Sequence, residues 1–329
     1  MEGDEAGVRS ALDRGARPEV TVPTNAGVSW SLLTEAASKG HEHLLSLLLQ
    51  AGLSIEGGGT TDITPLMMAA QNGHAHTVKA LLDLRGNPLA MNSDGEAAHT
   101  PVHLASYRGH VEVLEQLAGA GWPLTAKNSD GDTPMHFAAA GGRVTCVQWL
   151  VQRGGDTSIQ NNAGHTPLDK AASKGHEHLL SLLLQAGLSI EGGGTADRTP
   201  LMMAAQNGHA HTVKALLDLR GNPLAMDSDG EAAHTPVHVA SYGGHVEVLE
   251  QLAGAGWPLT TKNSDGDTPM HLAAAGGRVT CVQWLVQRGG DTSIQNNAGH
   301  TPLDKVGSGE GQEGGRMQTV LRSGSKFNR

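Results

Sequence analysis

The sequence predicts an all-α repeat solenoid, for three reasons. A Thr-Pro-apolar opening recurs every 33 residues, or after 36 residues in two places, through most of the 329-residue chain. Two short helical patterns separated by a glycine turn follow each opening, and a polar segment rich in turn residues closes each unit. Fixed self-similarity of this length indicates units that bury a core only by stacking on their neighbours. Complete units begin at residues 31, 64, 100, 133, 166, 199, 235 and 268, and a partial unit begins at 301.

The unit that opens at Thr100 shows how the local chemistry specifies each element. The Thr100 hydroxyl is suited to cap a helix, and Pro101 occupies the first helical position, where a missing N–H costs nothing. Gly109 suits the turn that follows the first helix. The Asn-Ser-Asp-Gly segment at 128–131 favours a tight β-turn. A second helix is indicated by apolar residues spaced by three, at Val111, Leu114 and Leu117.

A helix, a turn, a second helix and a projecting β-turn, opened by a Thr-Pro-Leu-His-like motif, resemble the ankyrin repeat over residues 3–305. The resemblance implies a curved stack with first helices on a concave side, second helices outside and β-turns projecting as fingers. It also implies that the opening histidine ties each unit to its neighbour's finger. That histidine is present at His103, His136, His238 and His271. Looser junctions are expected where it is replaced, by Thr34, Met67, Asp169, Met202 and Asp304.

The domain prediction has three parts. Residues 1–30 form a partial N-terminal capping repeat with a long finger, although a truncated chain would look the same. Residues 31–305 form the repeat array, and the Gly-rich residues 306–329 are expected to be disordered. Similarity to the repeats stops abruptly after Lys305, which fits a recent duplication and a mis-predicted chain equally well.

The chain also contains an internal duplication that spans several repeats. Residues 36–170 align with residues 171–305 without gaps at an offset of 135, with seven differences. All seven fall in fingers, first helices or the turns after them, as expected for a variable binding face on a constant frame. The pairs are Thr61/Ala196, Ile63/Arg198, Asn92/Asp227, Leu104/Val239, Arg108/Gly243, Ala126/Thr261 and Phe137/Leu272.

Composition disfavours several classes of function. The net charge of −10 argues against a nucleic-acid partner, which would favour a basic surface. No apolar run is long enough to span a membrane, and the acidic N-terminus does not resemble a signal peptide. The two cysteines, Cys146 and Cys281, occupy one repeat position and indicate a reducing compartment. We therefore expect a monomeric cytoplasmic protein, with the nucleus as the alternative location.

The chain is expected to lack catalytic, metal and cofactor sites. Fourteen of its eighteen histidines occupy recurring repeat positions, which favours structural or solvated roles over metal binding. Every candidate catalytic residue within the array also recurs with the repeat, as scaffold residues do. Cys146 and Cys281 lie between apolar residues on second helices, which favours inert thiols over nucleophiles.

The residue before the helical alanine of each opening is expected to face the concave groove, and we call these eight positions the ridge. Six of the eight are apolar, where solvated polar residues would be expected, and this favours protein binding. The alternative is that the ridge side chains pack sideways between repeats. The ridge comprises Glu35, Met68, Leu104, Phe137, Lys170, Met203, Val239 and Leu272. All of these except Glu35 are predicted to contact a partner, together with the finger residues Glu96, Trp122, Asn128 and Asp130.

The resulting hypothesis is a non-enzymatic scaffold that binds a neutral or basic protein segment through the concave face and fingers. Two alternatives stay open. One is a substrate-recognition adaptor of a ubiquitin ligase. The tail lacks a Leu/Cys-rich helical pair, and this counts against the adaptor. The other is the regulatory ankyrin part of a larger protein.

Overall fold

The computed structural model describes residues 5–14, 16, 22–23, 29–57, 62–87, 90, 99–192, 198–222, 225–227, 233–306 and 312–324. These residues form eighteen α-helices, one 3-10 helix and a single pair of two-residue strands. Helix pairs repeat in chain order, and this confirms the all-α repeat solenoid predicted from the sequence. Two compact units contain this architecture, unit 1 at Met1–Asn162 and unit 2 at Ala163–Arg329.

Unit 1 begins with a single helix and a short hairpin, in which Val22 pairs with Trp30 and Pro23 with Ser29. Four helix pairs follow, each with a first and a second helix. The elements are α1 (Glu5–Asp13), β1 (Val22–Pro23), β2 (Ser29–Trp30), α2 (Leu32–Ser38), α3 (Glu42–Gln50), α4 (Pro65–Asn72), α5 (Ala75–Asp83), α6 (Pro101–Arg108), α7 (Val111–Gly119), α8 (Pro134–Ala140) and α9 (Val144–Gln152).

Unit 2 contains four further helix pairs, a 3-10 turn at Pro302–Lys305 and a terminal helix. The helices are α10 (Pro167–Ser173), α11 (Glu177–Gln185), α12 (Pro200–Gln206), α13 (Ala210–Asp218), α14 (Pro236–Gly243), α15 (Val246–Gly254), α16 (Pro269–Ala275), α17 (Val279–Gln287) and α18 (Gln312–Gly324).

The first helices begin where the opening motif predicts. At Thr64 the backbone is extended, and the threonine hydroxyl accepts a hydrogen bond from the Met67 N–H at 3.2 Å. Pro65 then occupies the first helical position. The helix ends at Gly73, whose φ of +81° lies in the left-handed region. The capping chemistry read from the sequence therefore sets both ends of this helix.

The core of each unit is built from pairs of small residues on first helices and leucine-rich faces on second helices. In unit 1, α2 packs on α4, α4 on α6 and α6 on α8; in unit 2, α10 packs on α12, α12 on α14 and α14 on α16. Alanine pairs such as Ala138 and Ala139 are fully buried in these contacts. Leu114 and Leu117 are also fully buried, and each stabilises the fold by about 2 kcal/mol.

The C-terminal segment differs from the expectation of disorder over 306–329. Residues 312–324 form α18, which packs against α17 and the 3-10 turn. Met317 and Leu321 are buried there, 1% and 2% exposed. The expectation of disorder rested on the glycine content of the tail. It overlooked an apolar stripe at helical spacing, formed by Met317, Val320 and Leu321, that packs against α17. This helix covers α17, as the second helix of a following repeat would.

Candidate protein-binding surface

The opening histidines lie inside the stack. His103 is fully buried, and its Nδ1 atom accepts hydrogen bonds from the Thr100 hydroxyl at 2.7 Å and the Thr100 N–H at 3.3 Å. Its Nε2 atom therefore carries the proton and donates to the Ala126 carbonyl at 3.1 Å. Burial lowers the pKa of His103 to about 4, so the ring is neutral at pH 7. His238 repeats this contact with the Thr261 carbonyl at 3.1 Å and is also bonded to the Asp267 carbonyl at 3.1 Å. The His271 Nε2 atom is bonded to the His300 carbonyl at 3.0 Å, which has the same place in its repeat as Asp267.

Where the histidine is replaced, the opening keeps its local cap through a different side chain. Asp169 accepts hydrogen bonds from the Thr166 N–H at 2.8 Å and the Thr166 hydroxyl at 2.7 Å. The Met67 sulfur lies 3.5 Å from the Thr64 nitrogen. These side chains complete the opening turn, whereas the histidines also bond a finger carbonyl. The expectation of looser junctions at the replaced positions remains a prediction.

A second set of side chains links consecutive repeats at the turn between helices. The Nε2 atoms of His74 and His110 lie 3.0 Å from the carbonyl oxygens of Ser38 and Gln71, in the preceding repeat. Arg143 takes the same position and donates from Nε to the Tyr107 carbonyl at 2.8 Å. His74 and His110 therefore have a structural role, one of the two roles expected for the recurring histidines.

The predicted finger residues differ in their exposure to solvent. Trp122 and Asn128 are buried, each 5% exposed, and so neither is an accessible contact for a partner. The Asn128 carboxamide oxygen accepts hydrogen bonds from the N–H groups of Asp130 and Asp132, and this forms the finger turn. Asp130 is exposed, and its backbone carbonyl accepts from the Asn162 N–H at 2.8 Å. Glu96 lies outside the described residues.

Seven of the eight ridge residues are half-buried. Their burial agrees in part with the alternative that ridge side chains pack sideways between repeats. Met68 is only 7% exposed, so its prediction as an accessible contact is corrected: the side chain belongs to the core of unit 1. The Phe137 ring packs against the rings of His99 and His103, with centroids 4.9 Å away in each case. The half-buried members are Glu35, Leu104, Phe137, Lys170, Met203, Val239 and Leu272.

Glu35 is held by two neighbours and offers a partner little free charge. Its carboxylate receives a hydrogen bond from the Trp30 indole at 3.0 Å and pairs with the Lys39 amine at 2.8 Å. Burial favours the neutral acid, but these two hydrogen bonds outweigh it and lower the pKa of Glu35.

Two tyrosines extend the ridge, and the sequence analysis did not identify them. Tyr107 and Tyr242 follow the ridge residues Leu104 and Val239 by three positions, one helical turn further along α6 and α14. Both are exposed, 41% for Tyr107 and 55% for Tyr242. They are the only tyrosines in the chain, and the three-residue spacing was the signal that could have identified them.

Unit 1 also has an open groove along its second helices. Its volume is about 610 Å³, and Glu112, Glu115 and Trp149 are among its lining residues. The Trp149 indole donates to the Glu115 carboxylate at 3.4 Å, and the Arg153 guanidinium lies 4.5 Å above the indole ring. Every side chain lining this groove is identical in the duplicated copy, so the groove shows none of the variation seen along the first helices.

The two thiols and the side chains of the residue types that bind metals were also located in the structure. Cys146 and Cys281 are fully buried, and burial raises the pKa of Cys146 to about 12 and of Cys281 to about 11. Both thiols are therefore protonated and unreactive at neutral pH. Within the described ranges, no three side chains of His, Cys, Asp or Glu are grouped to hold a metal ion. In the same ranges, no helix combines the length and apolar character needed to cross a membrane.

Comparison with known proteins agrees with this geometry. A family model for ankyrin repeats (3 copies) matches residues 2–92, 32–127, 102–192 and 187–258, and one for ankyrin repeats (many copies) matches residues 237–286. The chain therefore belongs to the ankyrin-repeat family, whose repeats are protein-interaction modules. The resemblance drawn from the Thr-Pro openings is confirmed.

The curated relatives share segments of this chain. Human "Ankyrin repeat and KH domain-containing protein 1" is 34% identical over 101 residues, 31% of this chain and 4% of the relative. Rice "Probable E3 ubiquitin-protein ligase XBOS31" is 36% identical over 85 residues, 26% of this chain and 19% of the relative. Rabbit "Ankyrin repeat and SOCS box protein 5" is 30% identical over 96 residues, 29% of this chain and 28% of the relative. The chain thus spans less than a third of each of these relatives.

Proposed function

We propose that this chain is a non-enzymatic scaffold that binds a segment of a partner protein along the ridge of its first helices. The observation that carries the proposal is the row of half-buried apolar side chains on consecutive first helices, extended by an exposed tyrosine. In unit 2 this row comprises Met203, Val239, Leu272 and Tyr242. Adjacent apolar side chains that stay partly accessible are typical of protein-binding surfaces.

Charge favours a neutral or basic partner segment. The net charge of the chain is −10, and Asp130 and Asp265 are exposed at corresponding fingers of the two units. Opposite charge on the partner would speed the encounter, while the apolar ridge would supply most of the affinity. The proposal includes a monomer that binds no nucleic acid, in the cytoplasm or nucleus, where the two thiols stay reduced.

The test is affinity capture from a lysate with a ridge variant. Met203, Val239 and Leu272 are changed together to glutamate, because all three are partly accessible. Met68 is left unchanged, because a buried charge there would unfold the repeat. We expect proteins captured by the wild-type chain to be lost from the variant, with circular dichroism and thermal unfolding little changed.

A matched control carries the same added charge on second helices. Thr145, Gln148 and His211 are exposed there, and their change to glutamate should leave capture intact. Equal capture by the ridge variant and the wild-type chain, with both folded, would contradict ridge binding.

The substrate-adaptor alternative is favoured only by the similarity to the rice and rabbit relatives, a probable ubiquitin ligase and a SOCS box protein. In that role the same ridge would bind the substrate of the ligase. A partner captured through the ridge should then have a shorter, proteasome-dependent half-life in cells that overproduce the wild-type chain. An unchanged half-life would exclude the adaptor role for that partner while leaving the scaffold proposal intact.

A further inference from the structure

A cavity of about 300 Å³ opens beside the ridge of unit 2. Its apolar part is formed by Val239, Leu272 and Tyr242, and two of these are ridge residues. Its polar wall is formed by Arg198, Asp227 and His234. The volume is at the lower end of the range for ligand pockets and is sufficient for one large side chain.

Four residues of this cavity are among the seven at which the duplicated copies differ. Arg198 and Asp227 correspond to Ile63 and Asn92, and Val239 and Leu272 correspond to Leu104 and Phe137. The seven differences are distributed over 135 aligned positions, yet four of them meet around one cavity. Divergence between the copies is thus concentrated at a place where a ligand could bind.

Unit 1 shows what fills the corresponding position. There the Phe137 ring lies 4.9 Å from the His103 ring and meets the His99 ring edge-on at the same distance. In unit 2 the two histidines are retained as His234 and His238, with ring centroids 6.1 Å apart. Leu272 replaces the aromatic ring, and Val239 is one methylene smaller than Leu104. The second copy therefore lacks the aromatic ring of the first copy but has both imidazoles.

The polar wall of the cavity also suits an aromatic occupant. The Arg198 Nε atom lies 3.5 Å from the Asp227 carboxylate, and its Nη1 atom donates to the Gln206 side chain at 3.2 Å. Asp227 is buried, and its carboxylate also accepts from the His234 N–H at 2.6 Å. These contacts hold the guanidinium beside an apolar floor, where it can attract the face of an aromatic ring. In unit 1 the corresponding residue is Ile63, which offers no cation.

We propose that this cavity of unit 2 receives an aromatic side chain of the partner protein, in the position that the Phe137 ring fills in unit 1. The inference deepens the proposed function, because the same ridge contributes Val239 and Leu272. The aromatic side chain would anchor the partner segment, as buried aromatic residues do at the centre of many interfaces.

The test uses the full chain and two amino-acid amides as direct probes. N-acetyl-4-fluorophenylalaninamide carries an aromatic side chain, and N-acetyl-trifluoroleucinamide carries an aliphatic one on the same backbone. Binding is followed by broadening of the ¹⁹F resonance of each probe as protein is added. We expect the aromatic probe to bind with a Kd of about 1 mM, and the aliphatic probe at least about tenfold more weakly.

Two variants test whether the aromatic probe binds in the cavity. Leu272→Phe introduces at this position the ring present in the first copy, and it should weaken binding of the aromatic probe at least about tenfold. Met203→Phe adds the same ring to the neighbouring ridge position, which does not line the cavity, and it should leave the affinity unchanged. Thermal unfolding of both variants shows that they are folded.

Three results would overturn the inference: no binding of the aromatic probe by the wild-type chain, equal binding of the two probes, or full binding by folded Leu272→Phe. These outcomes are independent of the capture experiment. Ridge-dependent capture without probe binding would leave the scaffold function standing and remove the aromatic pocket. Probe binding without ridge-dependent capture would do the reverse.

Discussion

The Nε2 atom of His110 lies 3.0 Å from the carbonyl oxygen of Gln71, a residue 39 positions earlier in the chain. His245 and Gln206 repeat the contact in unit 2 at 2.9 Å. Each histidine stands at the start of a second helix, and each carbonyl belongs to the first helix of the preceding repeat. Side chains at this turn therefore bond one repeat to the next, in addition to the apolar core.

Removal of one such contact should lower the stability of unit 1. His110→Ala deletes the hydrogen bond to Gln71, and we expect the free energy of unfolding to fall by about 1 kcal/mol. Urea denaturation followed by circular dichroism measures the change. His76→Ala is the matched control, because His76 is exposed on α5 and should change stability by less than about 0.5 kcal/mol. Equal losses in the two variants would contradict an inter-repeat role for His110.

Stability should fall as the pH is lowered from 7 to 4. His103 and His238 have pKa values of about 4 in the folded chain, because burial disfavours their charged forms. The unfolded value is near 6.5, so between these values the unfolded chain binds more protons and the free energy of unfolding rises with pH. The stabilisation is complete above the unfolded pKa and is lost progressively as the pH falls towards 4. Each histidine contributes on the order of 3 kcal/mol to this change.

Thermal unfolding at several pH values between 7 and 4 measures this dependence. The variant His103→Asn/His238→Asn should be less stable at pH 7 but should lose less stability on acidification. Burial raises the pKa of Asp169, which acts in the opposite direction and persists in the variant. An unchanged slope in the variant would show that other groups dominate the acid response.

The contact between fingers can be tested with two glycines of the same backbone geometry. Gly131 and Gly154 both have φ of +77°. A Cβ atom on Gly131 would lie 2.8 Å from the Asn162 backbone nitrogen, whereas nothing lies within 4 Å of one on Gly154. Both alanine variants carry the strain of positive φ, about 1 kcal/mol. We expect Gly131→Ala to lose a further 1 kcal/mol or more, roughly the cost of overpacking, in urea denaturation. Equal losses would show that the fingers separate at no cost.

The terminal helix should contribute to the stability of unit 2. Leu321→Ala removes a buried side chain from α18, and we expect a loss of about 2 kcal/mol in the free energy of unfolding. Gln318→Ala, at an exposed position of the same helix, should be nearly neutral. Hydrogen exchange should also become faster in α17 in the first variant alone. Unchanged exchange in both variants would separate α18 from the packing of unit 2.

The first helices were predictable because their signals are local. Thr64 and Pro65 act within one turn, and Gly73 ends the same helix through its own backbone geometry. The repeat period, the helix pairs and the family followed from such signals recurring at 33 and 36 residues. The candidate surface was only partly predictable. Met68 and Leu104 share one repeat position, yet Met68 is buried and Leu104 is half-buried.

The sequence by itself determined the repeat, the ends of the helices and the positions at which the two copies differ. Only the tertiary structure decided which of those positions meet, because contacts across repeats join residues about 30 or more positions apart. Asp227 and Arg198 are such a pair, and the aromatic ring of Phe137 beside His99 is another contact of this kind. The helix at 312–324 has the same explanation, since its apolar stripe is stabilised by packing against α17. Local chemistry sets the elements, and the surface they offer a partner depends on the neighbours each side chain meets after folding.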